Sequence, residues 1–360
     1  MGRSRGFTLA EAMISMLVIS ALGLGIAKYM KKSNSTLRSS DMTEELRSVS
    51  EQVQSLIATD LSQVAFVNPL CVGNSPTGVT PTINCSSVKI RGGITILPGT
   101  DKTDVHAMTS FGLPANYTSS AASLTKSTDS FRLVVYDQID NFSCRLGTAD
   151  PSLVAEQFSV DSACTPNLAV GKLYVVVQSF GTAGTVAYAN LVQVTAINTG
   201  THLISISTGS SNRYNQTGGI GISGFTQRAM IFPVKMVEWS IASDGVYRRE
   251  ISPSSSDLVG LGTWRQISPR VESMQAKPVT ITSTVATEHN RTLSGLDAAD
   301  ENMDGIEDLR GLQVDLILKS ARVDTSGKTY TNSHNSSATA DTYPRQQTKF
   351  FTAMKNFLQY

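Results

Sequence analysis

The chain has 360 residues, with 30 Lys+Arg against 29 Asp+Glu, 40% hydrophobic and 7% aromatic. So even a balance supplies no bulk field to attract nucleic acid. Low charge with abundant Ser and Thr is the composition of an exported β-rich protein more than of a cytosolic enzyme.

The first element is the most informative. Met1-Gly2-Arg3-Ser4-Arg5-Gly6 is short and basic, and it leads into Phe7-Thr8-Leu9-Ala10-Glu11 and then a run of apolar and small residues to Ala27. About 20 such residues suffice to cross a bilayer as a helix. The only charge in the run is Glu11. A charge inside such a segment costs about 2.5–3.5 kcal/mol on insertion scales, which marks Glu11 as a residue with a partner. An ordinary secretory signal is cut after its apolar middle. Here the small-residue site, Gly6, comes before it, so cleavage leaves the run on the mature chain. Lys28, Lys31 and Lys32 follow the run, so the positive-inside rule is ambiguous until the leader is treated separately.

Gly6-Phe7-Thr8-Leu9-x-Glu11 ahead of an apolar stretch resembles the class III signal of type IV prepilins and type II secretion pseudopilins. The resemblance implies cleavage between Gly6 and Phe7 by a prepilin peptidase on the cytoplasmic side, N-methylation of the new Phe7 amine, and pairing of Glu11 with the Phe7 amine of a neighbouring subunit. It also implies other pilin subunits, an inner-membrane assembly platform and, before assembly, membrane lipid as partners. Location would be the inner membrane, single-pass with a periplasmic head, and then a filament. A buried carboxylate and ammonium each cost several kcal/mol alone, and a close pair offsets much of that. The alternative is a plain anchor with Glu11 near the membrane surface. Many major pilins carry a proline late in the apolar segment; this chain has none before Pro69, and Gly23 and Gly25 are its weak points, at about 1 kcal/mol each.

Without Arg3 and Arg5 the basic count falls to 28 against 29 acids, so the mature chain is close to neutral. The helix is expected to continue past the apolar run. Leu46, Val49, Val53, Leu56, Ile57, Leu61 and Val64 recur at helical steps, with Glu44, Glu45, Arg47, Glu51 and Gln52 between them. One helix from Phe7 to Val67 is expected, roughly 90 Å long, loosened near Ser33–Ser40 and ended by Asn68-Pro69. This divides the chain into a leader (1–6), a membrane or filament-core helix (7–28), its amphipathic continuation (29–68) and a β-rich head (69–360).

Within the head, residues 69–130 are rich in Gly, Pro, Ser, Thr and Asn, with short apolar pieces at 88–90 and 93–97. Strands are expected over 130–136, 172–178, 190–197, 203–206, 230–241, 247–251, 271–275 and 311–319. Asp244-Gly245 is a hairpin signal between two of them. The tail from Gln347 to Tyr360 is read as a final strand or a short helix. A long helix followed by antiparallel strands is an α+β pattern: a long N-terminal transmembrane and amphipathic helix packed on an antiparallel β-sheet head. The order of the later strands is similar to the heads of large minor pilins and J-type minor pseudopilins.

Four cysteines, Cys71, Cys85, Cys144 and Cys164, allow three connectivities that sequence cannot choose between. Close spacing favours Cys71–Cys85 and Cys144–Cys164, and export favours oxidation. No pair has the C-x2–4-C spacing of a zinc site. The acidic stretch 297–308 is a candidate calcium loop: Asp300, Asn302, Asp304, the Ile306 carbonyl and Asp308 follow the first nine positions of a D-x-N-x-D-G loop, with Gly305 for the turn. Asp297 or Glu307 would complete the shell. The twelfth position is Gly311 where an EF-hand has Glu, and a solvated acidic turn is the rival reading.

His106, His202, His289 and His334 are scattered and expected at the surface; Trp239 and Trp264 are expected in the core or on a sheet. Arg248, Arg249 and Arg265 are expected to be solvated or salt-bridged. Neither a nucleophile elbow nor a phosphate loop occurs, so no catalytic residue is assigned. The expected role is structural, not enzymatic: a minor pilin that inserts by its helix and takes part in assembly, priming or the tip of a type IV pilus. Alternatives are a minor pseudopilin of a type II secretion system, or a tip adhesin or DNA-uptake module using loops in 69–130 and 207–225.

Overall fold

Proline-free sequence with an N-terminal cap signal builds a single helix, α1 (Leu9–Ser62), of 54 residues, roughly 80 Å long. The computed structural model describes residues 8–64, 94–97, 130–137, 142–147, 157–179, 187–206, 229–242, 244–258, 260, 262–282, 285–288, 309–324, 328–334 and 340–353. The helix runs unbroken through 33–40, where a loosening was expected. The hydroxyls there do not compete with the backbone ladder; Ser35 and Thr36 both donate to the Lys32 carbonyl (2.8 and 3.0 Å) and Thr43 to that of Ser39 (2.9 Å). The helix ends at Ser62, five residues before the expected Val67. A tertiary contact stops it: the Gln63 carbonyl accepts from the Tyr136 N–H (2.9 Å), and Val64 forms an antiparallel bridge with Val135. Asn68-Pro69 lies outside the described residues.

Fifteen strands follow among the described residues. The first group is β1 (Ile94–Leu97), β2 (Ser130–Tyr136), β3 (Cys144–Arg145), β4 (Gln157–Ser159), β5 (Leu173–Ser179), β6 (Ala187–Gln193), β7 (Ala196–Asn198) and β8 (Leu203–Ser205). The second is β9 (Met230–Ala242), β10 (Gly245–Ile251), β11 (Arg265–Ser268), β12 (Val271–Thr282), β13 (Val285–Glu288), β14 (Leu309–Lys319) and β15 (Arg345–Ala353). All pairings are antiparallel. An eight-stranded sheet runs β1-β2-β9-β10-β11, with β3 and β5 also on β9 and β6 on β5; a four-stranded sheet runs β13-β12-β14-β15, and a three-stranded one β4-β8-β7. The fold is therefore α+β, as expected.

Most expected strands are present within a few residues. The expected strand over 190–197 is two strands broken at Val194-Thr195, and that over 271–275 extends to Thr282 through Pro278. The tail is a strand, not a helix, as far as Ala353; the pieces at 88–90 and 354–360 lie outside the described residues. At the hairpin, Gly245 opens β10 opposite Ala242 with φ +135°. A Cβ there would sit 2.2 Å from the Ser268 carbonyl oxygen, so only glycine fits.

Two cores result. In the first, Leu46, Val53, Ile57 and Leu61 of α1, with Val64, pack on Phe131, Leu133, Val237 and Trp239 of the large sheet and on Met274, Leu312, Val314 and Leu316 of the four-stranded sheet. Each fully buried side chain of this size is worth about 1.5–3 kcal/mol. Leu56, expected on the same stripe, points to its edge and is 37% exposed. The second core gathers Cys144, Phe158, Tyr174, Val192, Ile204 and Ile231. Strand β9 serves both, through Val237, Trp239 and Ile241 in one and Ile231 in the other.

Candidate functional site

Thr8 caps α1 in extended conformation, and it forms a reciprocal capping box with Glu11. The Thr8 hydroxyl accepts from the Glu11 N–H (3.3 Å), while Glu11 Oε2 accepts from the Thr8 N–H and hydroxyl (2.9 Å each). The exposed Glu11 carboxylate thus sits at the positive end of the helix dipole, held by its own chain and open on its outer side. Behind it the helix is long and apolar enough to cross a membrane, and none of its most apolar 18-residue window is buried. Met13, Ile14, Met16, Leu17, Ile19 and Leu22 are all at least 62% exposed. Gly6 and Phe7 lie outside the described residues.

The other end of α1 is fixed to the head by a buried carboxylate that the sequence reading did not single out. Asp60, 5% exposed, accepts from Trp239 Nε1 (2.8 Å) and from Arg248 Nε and Nη2 (2.8 and 2.9 Å). This hydrogen bond to Asp60 raises the Arg248 pKa above its ordinary value, against the opposing effect of burial. Arg248 also meets Glu250 (3.0 Å), which in turn meets Lys235 (3.0 Å). The signal for Asp60 was in the sequence: it stands three residues after Ile57 and seven after Val53, an acid on the apolar stripe.

Residues 1–27 match the family model described as the prokaryotic N-terminal methylation motif. The chain opens with a prepilin-type methylation motif. Among solved structures, a type IV-like pilin from Thermus thermophilus aligns with this chain at 9% identity, over 52% of this chain and 89% of its own length, with a TM-score of 0.18. A likeness that slight carries no weight for the fold, which stands on the helix and sheets described above. No curated protein matches this sequence.

Of the expected cysteine pairs, Cys144–Cys164 is a disulfide, with Cα atoms 5.6 Å apart. It ties β3 to the turn before a short 3-10 helix (Thr165–Asn167) inside the second core. Closing a loop of this length contributes about 3 kcal/mol by chain entropy. Cys71 and Cys85 lie outside the described residues, as do the calcium candidates Asp300, Asn302, Asp304, Ile306 and Asp308, and His106 and His289.

His334 corrects an expectation. Its side chain is 5% exposed, not at the surface, with Nδ1 2.8 Å from Ser273 Oγ and Nε2 3.3 Å from Asp315 Oδ2. Burial pushes the Asp315 carboxyl up, but His334 and Gln347, with the charge of Lys349, outweigh it and hold the carboxyl below its ordinary value. Ser273 is fully buried, so this chain of contacts cross-links β12 and β14. His202 is half-buried, its Nδ1 2.9 Å from Thr165 Oγ1.

Trp239 is fully buried and stacks on Phe131 at 6.3 Å between ring centroids. Trp264 lies under the Arg249 guanidinium, 4.5 Å from it. Arg249 and Arg132 both donate to the buried Glu238 between them, a cross-strand triad on β2, β9 and β10. Arg265 is exposed on β11. Two of the three singled-out arginines are thus paired within the head, and the third is solvated.

Proposed function

We propose that this protein is a minor pilin that inserts by its N-terminal helix and takes part in assembly, priming or the tip of a type IV pilus. The observation that carries this reading is the bare apolar half of α1, headed by an exposed carboxylate and opened by a methylation motif. Prepilin peptidase cleaves between Gly6 and Phe7, and the Phe7 amine is methylated. Glu11 then exchanges its local Thr8 contacts for the Phe7 amine of a neighbouring subunit, a charge pair inside an apolar bundle. The head over 69–360 is too bulky to repeat along a filament without crowding, which favours a minor or tip position. The protein spans the inner membrane once, with a periplasmic head, before it joins other pilin subunits through the assembly platform. Its role is structural rather than enzymatic. Calcium at Asp300, Asn302, Asp304, Ile306 and Asp308 belongs to the same proposal, and calorimetric titration of the full chain that showed no heat at millimolar calcium would remove it.

The decisive experiment is Glu11→Ala. The variant is expected to be processed, membrane-resident and as abundant as wild type, yet to fail to enter or prime filaments. Normal filament entry by that variant would sink the reading. So would mass spectrometry of the membrane-extracted protein that found an uncut chain with Met1 at its start.

A further inference from the structure

Between Glu11 and Asp41 the helix contains no acid, but it does contain Lys28, Lys31, Lys32 and Arg38. All four are exposed, and their side chains meet no acceptor among the described residues. Lys28, Lys31 and Lys32 stand at i, i+3 and i+4, so their ammonium groups share one side of the helix. Tyr29, 74% exposed, stands among them. The described contacts of α1 with the head's charged groups begin farther on, where Asp41 meets Arg322 at 3.9 Å and Glu45 meets Arg270 at 3.0 Å. The helix first lines a common cavity with the head at Ser35, Thr36 and Arg38, opposite Arg322, Asp324 and Lys328, so the three lysines precede the head-facing part of the helix by three to seven residues, roughly 5–10 Å.

They also come directly after the apolar run that ends at Ala27. If that run fills the hydrocarbon layer, the lysines fall at the headgroup level on the side of the head. Lysine stems lie along apolar surface and carry their charge outward to the phosphate plane. Tyrosine favours the same depth. Cations on the translocated side oppose the positive-inside tendency, so their placement carries a cost that a local anion offsets. Lysine is a compact point charge, suited to a phosphate without bidentate geometry.

We propose that Lys28, Lys31 and Lys32, with Tyr29, bind the phosphate groups of anionic phospholipids in the leaflet on the head's side. The site rests on the membrane-spanning reading above. It holds the subunit at a fixed depth and rotation before it joins other subunits, and this attraction must be given up on leaving the bilayer.

The test uses the full-length protein in vesicles of phosphatidylcholine containing spin-labelled phosphatidylglycerol or phosphatidylcholine as probe. Electron paramagnetic resonance reads the relative association of each probe with the protein. Wild type should favour phosphatidylglycerol by about fivefold. The preference should fall toward equality in the Lys28→Gln/Lys31→Gln/Lys32→Gln variant, whose exposed positions leave the helix intact, and in roughly 0.5 M salt. Equal association in wild type, or an unchanged preference in the triple variant, would overturn the site. Carbodiimide cross-linking of these lysines to Asp41 or Glu44 of a second copy in vesicles lacking anionic lipid would overturn it in favour of a protein partner. Alkaline carbonate separates the two levels: protein stripped from the vesicles refutes the spanning reading, whereas retained protein without lipid preference refutes the headgroup site alone.

Discussion

From Leu9 to Met30, α1 presents large apolar side chains on every side and touches no part of the head; from Met42 to Leu61 the same helix buries one narrow stripe and wets the rest. Backbone hydrogen bonds are alike in the two halves, so continuity of the helix does not depend on what surrounds it. The side-chain pattern decides the surroundings. An amphipathic stripe finds its core within the chain, whereas a helix that is apolar all round needs a second apolar phase, lipid or other helices. The charges follow the same division. Among the described residues, Glu11 in the first half is held by Thr8 alone, and Asp60 in the second is enclosed by partners from two strands.

The contrast is broken most directly at Asp60. Asp60→Ala leaves the Trp239 N–H unpaired and takes from Arg248 one of its two acids, so unfolding of the detergent-solubilised protein in denaturant should shift by about 3 kcal/mol. A shift below about 1 kcal/mol would show that the junction holds by apolar packing alone.

A matched pair sharpens it. Ile57→Ala removes a fully buried side chain and should cost the head about 2–5 kcal/mol. Ile19→Ala, at a 68% exposed position, should leave the head's denaturation midpoint unchanged. Equal effects would mean that the two halves are not energetically separate.

The smallest effect concerns acid. Asp341 is held below its ordinary pKa chiefly by hydrogen bonding from Arg345, with Lys319 and the Tyr343 N–H adding to it against burial. Arg345 also pairs with Glu272 and begins β15, on which the second half of α1 packs. A carboxylate with a depressed folded pKa contributes stability that is whole above about pH 4 and is lost as pH falls below it. Asp341→Asn should flatten part of that acid loss, by about 1 kcal/mol or less for a partly exposed pair. Near-ultraviolet circular dichroism against pH would read it. An unchanged acid profile would assign the loss to other carboxylates.

Much of this was legible in the residues. Unbroken apolar character marked α1 and the buried strands β2 and β5, and alternation marked the stretches 190–197 and 203–206. The stop at Ser62 was not legible, since it depends on a bridge from Val64 to a strand some seventy residues later. The short strands β3, β4 and β13 carry too few residues to show a period, and Pro278 hid the second half of β12. At the site, Glu11 was legible as a lone charge in need of a partner, but its reciprocal cap with Thr8 was not read and comes from the helix geometry. Asp60 lay in plain view on the stripe, but its partners Trp239 and Arg248 are close only after folding. His334 was misplaced for the same reason, since nothing near it in sequence announces Ser273 or Asp315.

The side-by-side seat of the helix on the head also decides how the molecule answers a pull. Tension applied at the bare end passes along the axis and meets a seam about twenty residues long, roughly 30 Å. Such a seam is loaded in shear, so its contacts resist together and are not unzipped one by one. Asp60 sits at the far end of that seam, where a bidentate guanidinium and an indole oppose sliding.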